Sequence, residues 1–113
     1  MRQIEFHIFL WSLLSLTNAS VFSQKIVWQK SIGGSDHDFI EDVIHTRDNK
    51  MLITCSSGSG ISGDKTELCF GGYDYWIIKT DLQGEILWQK TIGGDQDDEP
   101  IAVLETRDGG YLI

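Results

Sequence analysis

Ile26-Val27-Trp28-Gln29-Lys30-Ser31-Ile32-Gly33-Gly34 returns sixty residues later as Ile86-Leu87-Trp88-Gln89-Lys90-Thr91-Ile92-Gly93-Gly94. The correspondence continues without gaps to the end of the chain. Asp38 matches Asp98 and Val43 matches Val103. Thr46-Arg47-Asp48 matches Thr106-Arg107-Asp108, and Leu52-Ile53 matches Leu112-Ile113. Between residues 24–53 and 84–113, 14 of 30 positions are identical. A fixed internal period is the mark of a repeat architecture, and it sets the fold class before any local reading.

Each copy reads as strands. In Lys25 to Ile32, Ile26, Trp28 and Ile32 share one face while Val27, Gln29 and Ser31 share the other, a period of two. Gly33-Gly34 ends that strand. Ile40 to Thr46 is a second strand, and Arg47-Asp48-Asn49 a tight turn. Met51 to Cys55 is a third strand, and Ser56 to Gly72 a long Gly/Ser-rich loop. Tyr73 to Thr80, dense in aromatic and β-branched residues, is a fourth. Asp81-Leu82-Gln83-Gly84 then turns the chain into the next Trp-bearing strand. Apolar residues fall at both parities, as in Ile26-Val27-Trp28 and Trp76-Ile77-Ile78, so both faces of each sheet are expected to be covered. Four antiparallel strands per period is the pattern of a β-propeller blade. The expected fold is all-β: one four-stranded antiparallel propeller-type blade and a partial second blade, preceded by a helical signal peptide.

The signal occupies residues 1–23. Arg2 gives a positive start, Ile8 to Leu16 is almost wholly apolar, and a polar stretch follows at Thr17-Asn18-Ala19-Ser20. That order is the order of a secretory signal. The apolar run is about half of the roughly 20 residues needed to cross a bilayer, so no transmembrane span is expected in the mature chain. Cleavage after Ser23, with Val21 and Ser23 as the small residues, leaves residues 24–113, about one and a half periods of 60. Ala19 and Ser20 offer alternative cleavage points. The expected location is secreted or cell-surface.

Composition narrows function further. The 113 residues carry a formal charge of −8 and no Lys/Arg cluster, which excludes a nucleic-acid partner. A single short chain leaves no room for a doubly wound cofactor fold beside a substrate domain. Gly-x-Ser-x-Gly, a phosphate-cradling loop and His-Glu-x-x-His are all missing. Gly58-Ser59-Gly60-Ile61-Ser62-Gly63 fits Gly-x-Gly-x-x-Gly but lies between strands, where no helix follows to hold a phosphate.

The residues from Tyr73-Asp74-Tyr75-Trp76-Ile77-Ile78-Lys79-Thr80-Asp81 through Gly84, Trp88, Gly93-Gly94, Asp98 and Thr106-Arg107-Asp108-Gly109-Gly110-Tyr111-Leu112-Ile113 resemble a known repeat. It is similar to the β-propeller repeats of secreted Bacteroidetes proteins, many of which carry a type IX secretion sorting domain, and to the SBBP repeats. The first copy departs from the pattern, with Asn49-Lys50-Met51 in place of Gly-Gly-Tyr. The resemblance covers residues 25–113. It implies a blade built on Trp28, Gly33, Gly34, Asp38, Trp76, Gly84, Trp88, Gly93, Gly94 and Asp98, and says little about chemistry.

Several side-chain sets remain as candidates. Asp36 and Asp38, with Asp95, Asp97 and Asp98, are clustered oxygen donors of the kind Ca²⁺ takes, although the EF-hand spacing is absent. The plainer reading is a solvated turn in which Asp38 and Asp98 accept from backbone amides. Cys55 and Cys69 flank the Gly/Ser loop and are candidates for a disulfide in an oxidising compartment. Glu41, Asp42 and Glu105 are carboxylates that a glycosidase would need in pairs. Trp28, Trp76 and Trp88 are expected mainly in the core, with sugar stacking as the alternative.

The function expected from sequence is a non-catalytic secreted or cell-surface propeller module acting as scaffold or binding surface. It has no catalytic residue and no cofactor beyond the Ca²⁺ candidates. Its partners would be further copies of its own repeat, in cis or in trans, and a protein or glycan ligand. The alternatives are a carbohydrate-binding module and part of a secreted hydrolase. The last copy stops inside a strand that the first continues through Cys55, so the chain is expected to be part of a longer protein.

Overall fold

The computed structural model describes residues 24–113; the expected signal peptide lies outside them. Among the described residues there is no helix. Four strands, β1 (Asp38–His45), β2 (Met51–Ser57), β3 (Asp74–Thr80) and β4 (Ile86–Ile92), form one antiparallel sheet in chain order. Two short strands, β5 (Leu104–Glu105) and β6 (Tyr111–Leu112), pair as a separate hairpin.

The sheet is out of phase with the sequence repeat. Lys25 to Ile32, expected as the first strand, is in no strand. Its copy is β4. The sheet therefore takes three strands from the first copy and closes with the first strand of the second. The physical reason is pairing. β4 exists because β3 offers a row of backbone partners from Tyr75 to Thr80. No described residue offers such a row to residues 24–32, and a lone extended segment cannot satisfy its own amides.

That segment instead lies against one face of the sheet. Lys30 Nζ donates to Glu85 Oε1 at 2.7 Å, and the indole of Trp28 stands against Gly84, at φ +80° in the turn before β4. Ile32 packs with Ile53 and Ile86 onto the buried trio Cys55, Trp76 and Ile78. Serines of the β2–β3 loop then hold Gly33 to Asp36. Ser62 Oγ accepts from the Ser35 amide and Ser59 Oγ from the Asp36 amide, both at 2.9 Å. The approach is close: a Cβ on Gly34 would come within 2.4 Å of the Ser59 Cβ. Only glycine fits there.

The opposite face carries the second core. Leu52 and Ile77 are buried with Val103, and Ile44, Tyr75 and Tyr111 complete the cluster. Val103 and Tyr111 belong to the β5–β6 region, so the hairpin is docked on the sheet. Its register repeats that of β1–β2. Leu104 pairs with Leu112 and Glu105 with Tyr111, as Ile44 pairs with Leu52 and His45 with Met51. Both hairpins share one turn. In the first, the Thr46 amide donates to Lys50 O and the Asn49 amide to Thr46 O; in the second, Thr106 donates to Gly110 O and Gly109 to Thr106 O. The third turn residue is left-handed in each, Asn49 at φ 60° and Gly109 at φ 87°. Asparagine is the non-glycine residue best suited to that conformation, so Asn49-Lys50 forms the same turn as Gly109-Gly110.

Candidate functional site

The residues that meet between sheet and hairpin are polar as well as apolar, and most stand about sixty positions apart. A β-bulge at Glu41 shifts the β1 register between Ile40 and Asp42. Bulges re-aim side chains, and this one puts Asp42 on the face that carries the hairpin. Asp42 Oδ1 accepts from the Val43 amide at 2.8 Å and Oδ2 from the Val103 amide at 2.9 Å. One carboxylate thus joins two residues that are copies of each other. Arg47 does the same between the turns. Its amide donates to Glu105 Oε2 at 2.8 Å, and its guanidinium lies 3.3 Å from Glu105 Oε1. The same guanidinium donates to the carbonyls of Thr106 and Arg107, the latter the copy of Arg47.

Lys79 completes the joint from β3. Its Nζ donates to Asp48 Oδ2 at 2.6 Å and to the Tyr111 hydroxyl at 2.9 Å, and lies 5.5 Å from the Tyr111 ring centre. The hydrogen bond from Lys79, with that from Thr46, holds the Asp48 carboxyl below its ordinary value, and the Asp48 bond raises Lys79. On the hairpin side Thr106 and the Gly110 amide hold Asp108 down in the same way. Trp88 tilts against Tyr111 with ring centres 6.3 Å apart.

These contacts account for the carboxylates a hydrolase would need. Glu41 accepts from Ser56 at 2.8 Å, Asp42 bridges amides, and Glu105 pairs with Arg47. Each is engaged in holding the fold.

The acidic turns are likewise engaged with backbone. Asp38 Oδ2 accepts from the Gly34 amide and Asp98 Oδ2 from the Gly94 amide, both at 2.7 Å. Asp97 accepts from the Tyr73 amide. Asp36 accepts from the amide and ring of His37, which hold its carboxyl low. Among the described residues no three His, Cys, Asp or Glu side chains come together as a metal site; Asp36 and Asp38, and Asp95, Asp97 and Asp98, do not converge on a shared centre.

Cys55 and Cys69 are free thiols. Cys55 is buried under Ile32, and burial, with the charges of Asp38 and Glu41, pushes its thiol up to about 12. Cys69 Sγ lies 3.5 Å from the carbonyls of Gly71 and Gly72, and burial followed by Asp74 raises it. Of the tryptophans, Trp76 is wholly buried and donates from Nε1 to Gln89 at 2.9 Å. Trp28 and Trp88 are 47% and 40% exposed. Gly93 is pressed against the Asp74 carboxylate, where a Cβ would lie 2.0 Å from Oδ1.

Two groupings escaped sequence reading. The first is a buried polar cluster around Lys65, which is 1% exposed. Its Nζ donates to Ser57 Oγ at 2.8 Å and to Ser59 O at 2.7 Å, and lies 5.6 Å from the centre of a Trp76 ring. Ser57 in turn donates to Asp38 Oδ1 at 2.5 Å and Ser59 to Asp38 Oδ2 at 3.1 Å. Ser57 beside Lys65 has the composition of a nucleophile and its base. Both are sealed from solvent and the Ser57 proton is held by Asp38, so the arrangement is structural. A lysine in a Gly/Ser loop reads as solvated, and nothing local marks it otherwise. The second is a row of rings at one end of the sheet. His37 stacks on Phe39 at 5.9 Å, and Phe39 tilts against Tyr73 at 6.0 Å. The pairing of Asp38 with Ser57, and of Ser57 with Asp74, brings these strand ends together.

Comparison with family models, with curated proteins and with solved structures finds no match.

Proposed function

We propose that this chain is a non-catalytic repeat module of β-propeller type, exported behind residues 1–23 to the cell surface or medium, where it serves as a scaffold or binding surface. The observation that carries the reading is the joint: Asp42 bonded to Val43 and Val103, and Arg47 lying on Thr106 and Arg107. Contacts between equivalent positions are what a stack of identical sheets produces, each unit meeting the next through the same residues. The carboxylates and the Ser57–Lys65 pair are committed to structure, which favours a scaffold over a hydrolase. On this reading the four-stranded sheet is a blade, and β5–β6 are the first two strands of the next.

The test adds repeat material in phase. Ile113 matches Ile53, so residues 54–113 appended after Ile113 continue the pattern. β5 and β6 should then acquire two further strands, and the unfolding midpoint should rise, because stability in a stack grows with each interface. An unchanged midpoint with the added segment unfolded would overturn the reading. The half-exposed Trp28 and Trp88, and the ring row of His37, Phe39 and Tyr73, favour a second reading in which the module binds glycans by ring stacking. Glycan-array binding lost in Phe39→Ala and in Trp28→Ala would establish it, and a blank array would remove it.

A further inference from the structure

Several positions occur twice in this chain with different burial. Val103 is 6% exposed and its copy Val43 is 48% exposed; Leu52 is fully buried and its copy Leu112 is 60% exposed. Pro100 is buried, whereas Ile40, at the equivalent position, is 67% exposed. Val103 lies on the hairpin side of the joint and Leu52 on the sheet side; Pro100 is in the run of chain that leads into the hairpin. The exposed member is the same surface displayed at the far side of the molecule. Val43 and Ile40 therefore repeat the face with which the hairpin docks. Leu112, with Leu104 beside it in the hairpin, repeats the face that receives it.

We propose that copies of this chain associate head to tail: the outward Leu104–Leu112 face of one molecule seats on the Ile40–Val43 face of the next, in the register of the joint inside the chain. The proposal rests on the stacked-sheet reading above. The internal joint supplies the geometry, since a surface that fits Leu52 and Ile44 in one place presents the same elements in the other. The receiving face also has room. A cavity of about 110 Å³ opens there, lined by Ile32, Ile40, Ile53, Cys55 and Ile78 with Lys30 at its edge. Such an interface is heterologous, joining two different surfaces, so it propagates along a row instead of ending at a dimer.

The external joint is the weaker of the two. Ala102 stands where Asp42 stands, so no carboxylate reaches across to a second amide. His45 stands where Glu105 stands, so Arg107 meets no acidic partner. What remains is apolar burial over a small area, which places association at roughly 10 μM to 1 mM.

Sedimentation of the chain over that range is expected to show a mass that climbs steadily with concentration. Val43→Asp destroys only the receiving face, and Leu112→Asp only the outward face. Each variant alone should be monomeric. Mixed in equal amounts they should form a dimer and nothing larger, because each supplies the face the other lacks. Restoring the acidic partner with His45→Glu should tighten association about three- to tenfold. If Leu112→Asp loosens the hairpin, Leu104→Asp puts the same charge on the same face. A chain that stays monomeric throughout, growth that persists in Val43→Asp, or a mixture that behaves as its separate parts would each overturn the proposal. The chain lengthened by residues 54–113 separates the two readings: a stabilised longer chain beside a monomeric parent overturns head-to-tail docking alone.

Discussion

Lys65→Met is expected to lower the unfolding midpoint by roughly 15 °C, from a loss of about 3 kcal/mol in a sheet of this size. Methionine nearly preserves volume, so packing over Trp76 changes little. What disappears is the ammonium that donates to Ser57 and Ser59. The Ser59 carbonyl is then left without its partner, and the Ser57 hydroxyl, which donates to Asp38, loses the donor it accepts from. Ser57, Ser59 and Lys65 are buried, so water cannot take over these bonds without opening the β2–β3 loop. That loop also grips Gly33 to Asp36, and the loss should spread to the segment lying on that face. Denaturant titration beside Lys25→Met, an exposed control, measures the effect. Equal midpoints for the two variants would mean that the ammonium is not held in the interior.

Val103→Asp should release the β5–β6 hairpin while leaving the four-stranded sheet intact. Burying the valine contributes about 1.5–3 kcal/mol. The new carboxylate would also sit beside that of Asp42, which already accepts from the amide of residue 103, and burying an unpaired charge costs several kcal/mol more. The hairpin has only two residue pairs of its own and cannot stand alone. Protection of the Thr106 and Gly109 amides against hydrogen exchange should fall to that of a free loop, while β2 and β3 amides stay protected. Val43→Asp, the same change at the equivalent but exposed position, should leave both sets protected. Retained protection in Val103→Asp would mean the hairpin is held elsewhere.

The sequence was most informative where structure is local. The strands expected at Met51 to Cys55 and Tyr73 to Thr80 correspond to β2 and β3, because β-branched and aromatic residues fill them, and the shared turns follow from Thr-Arg-Asp with a left-handed residue behind. Asp38 and Asp98 were legible as structural because they recur at one offset after the same Gly-Gly pair. The failures concern pairing. Ile26-Val27-Trp28-Gln29-Lys30 and Ile86-Leu87-Trp88-Gln89-Lys90 are nearly one sequence, yet only the second is a strand. Propensity and period are identical; the presence of β3 alongside is what differs, and no window of residues contains it. The bridging role of Asp42, as distinct from its candidacy as a hydrolase carboxylate, was invisible for a related reason. Its role depends on the bulge at Glu41, which exchanges the faces of β1, and an alternating pattern gives the opposite assignment. Lys65 was missed because burial of a long cation is decided by Asp38 from β1, Ser57 from β2 and Ser59 from its own loop, brought together only by the fold.

The position of Cys55 bears on how its thiol meets oxidants. Burial, with the charges of Asp38 and Glu41, raises this thiol and so disfavours the thiolate, which is the attacking species in oxidation and exchange. In the folded sheet Cys55 is therefore a poor nucleophile toward oxidants. Folding ahead of oxidation therefore favours a free thiol here, whereas oxidation ahead of folding would place a polar or bulkier sulfur against Ile32, Trp76 and Ile78.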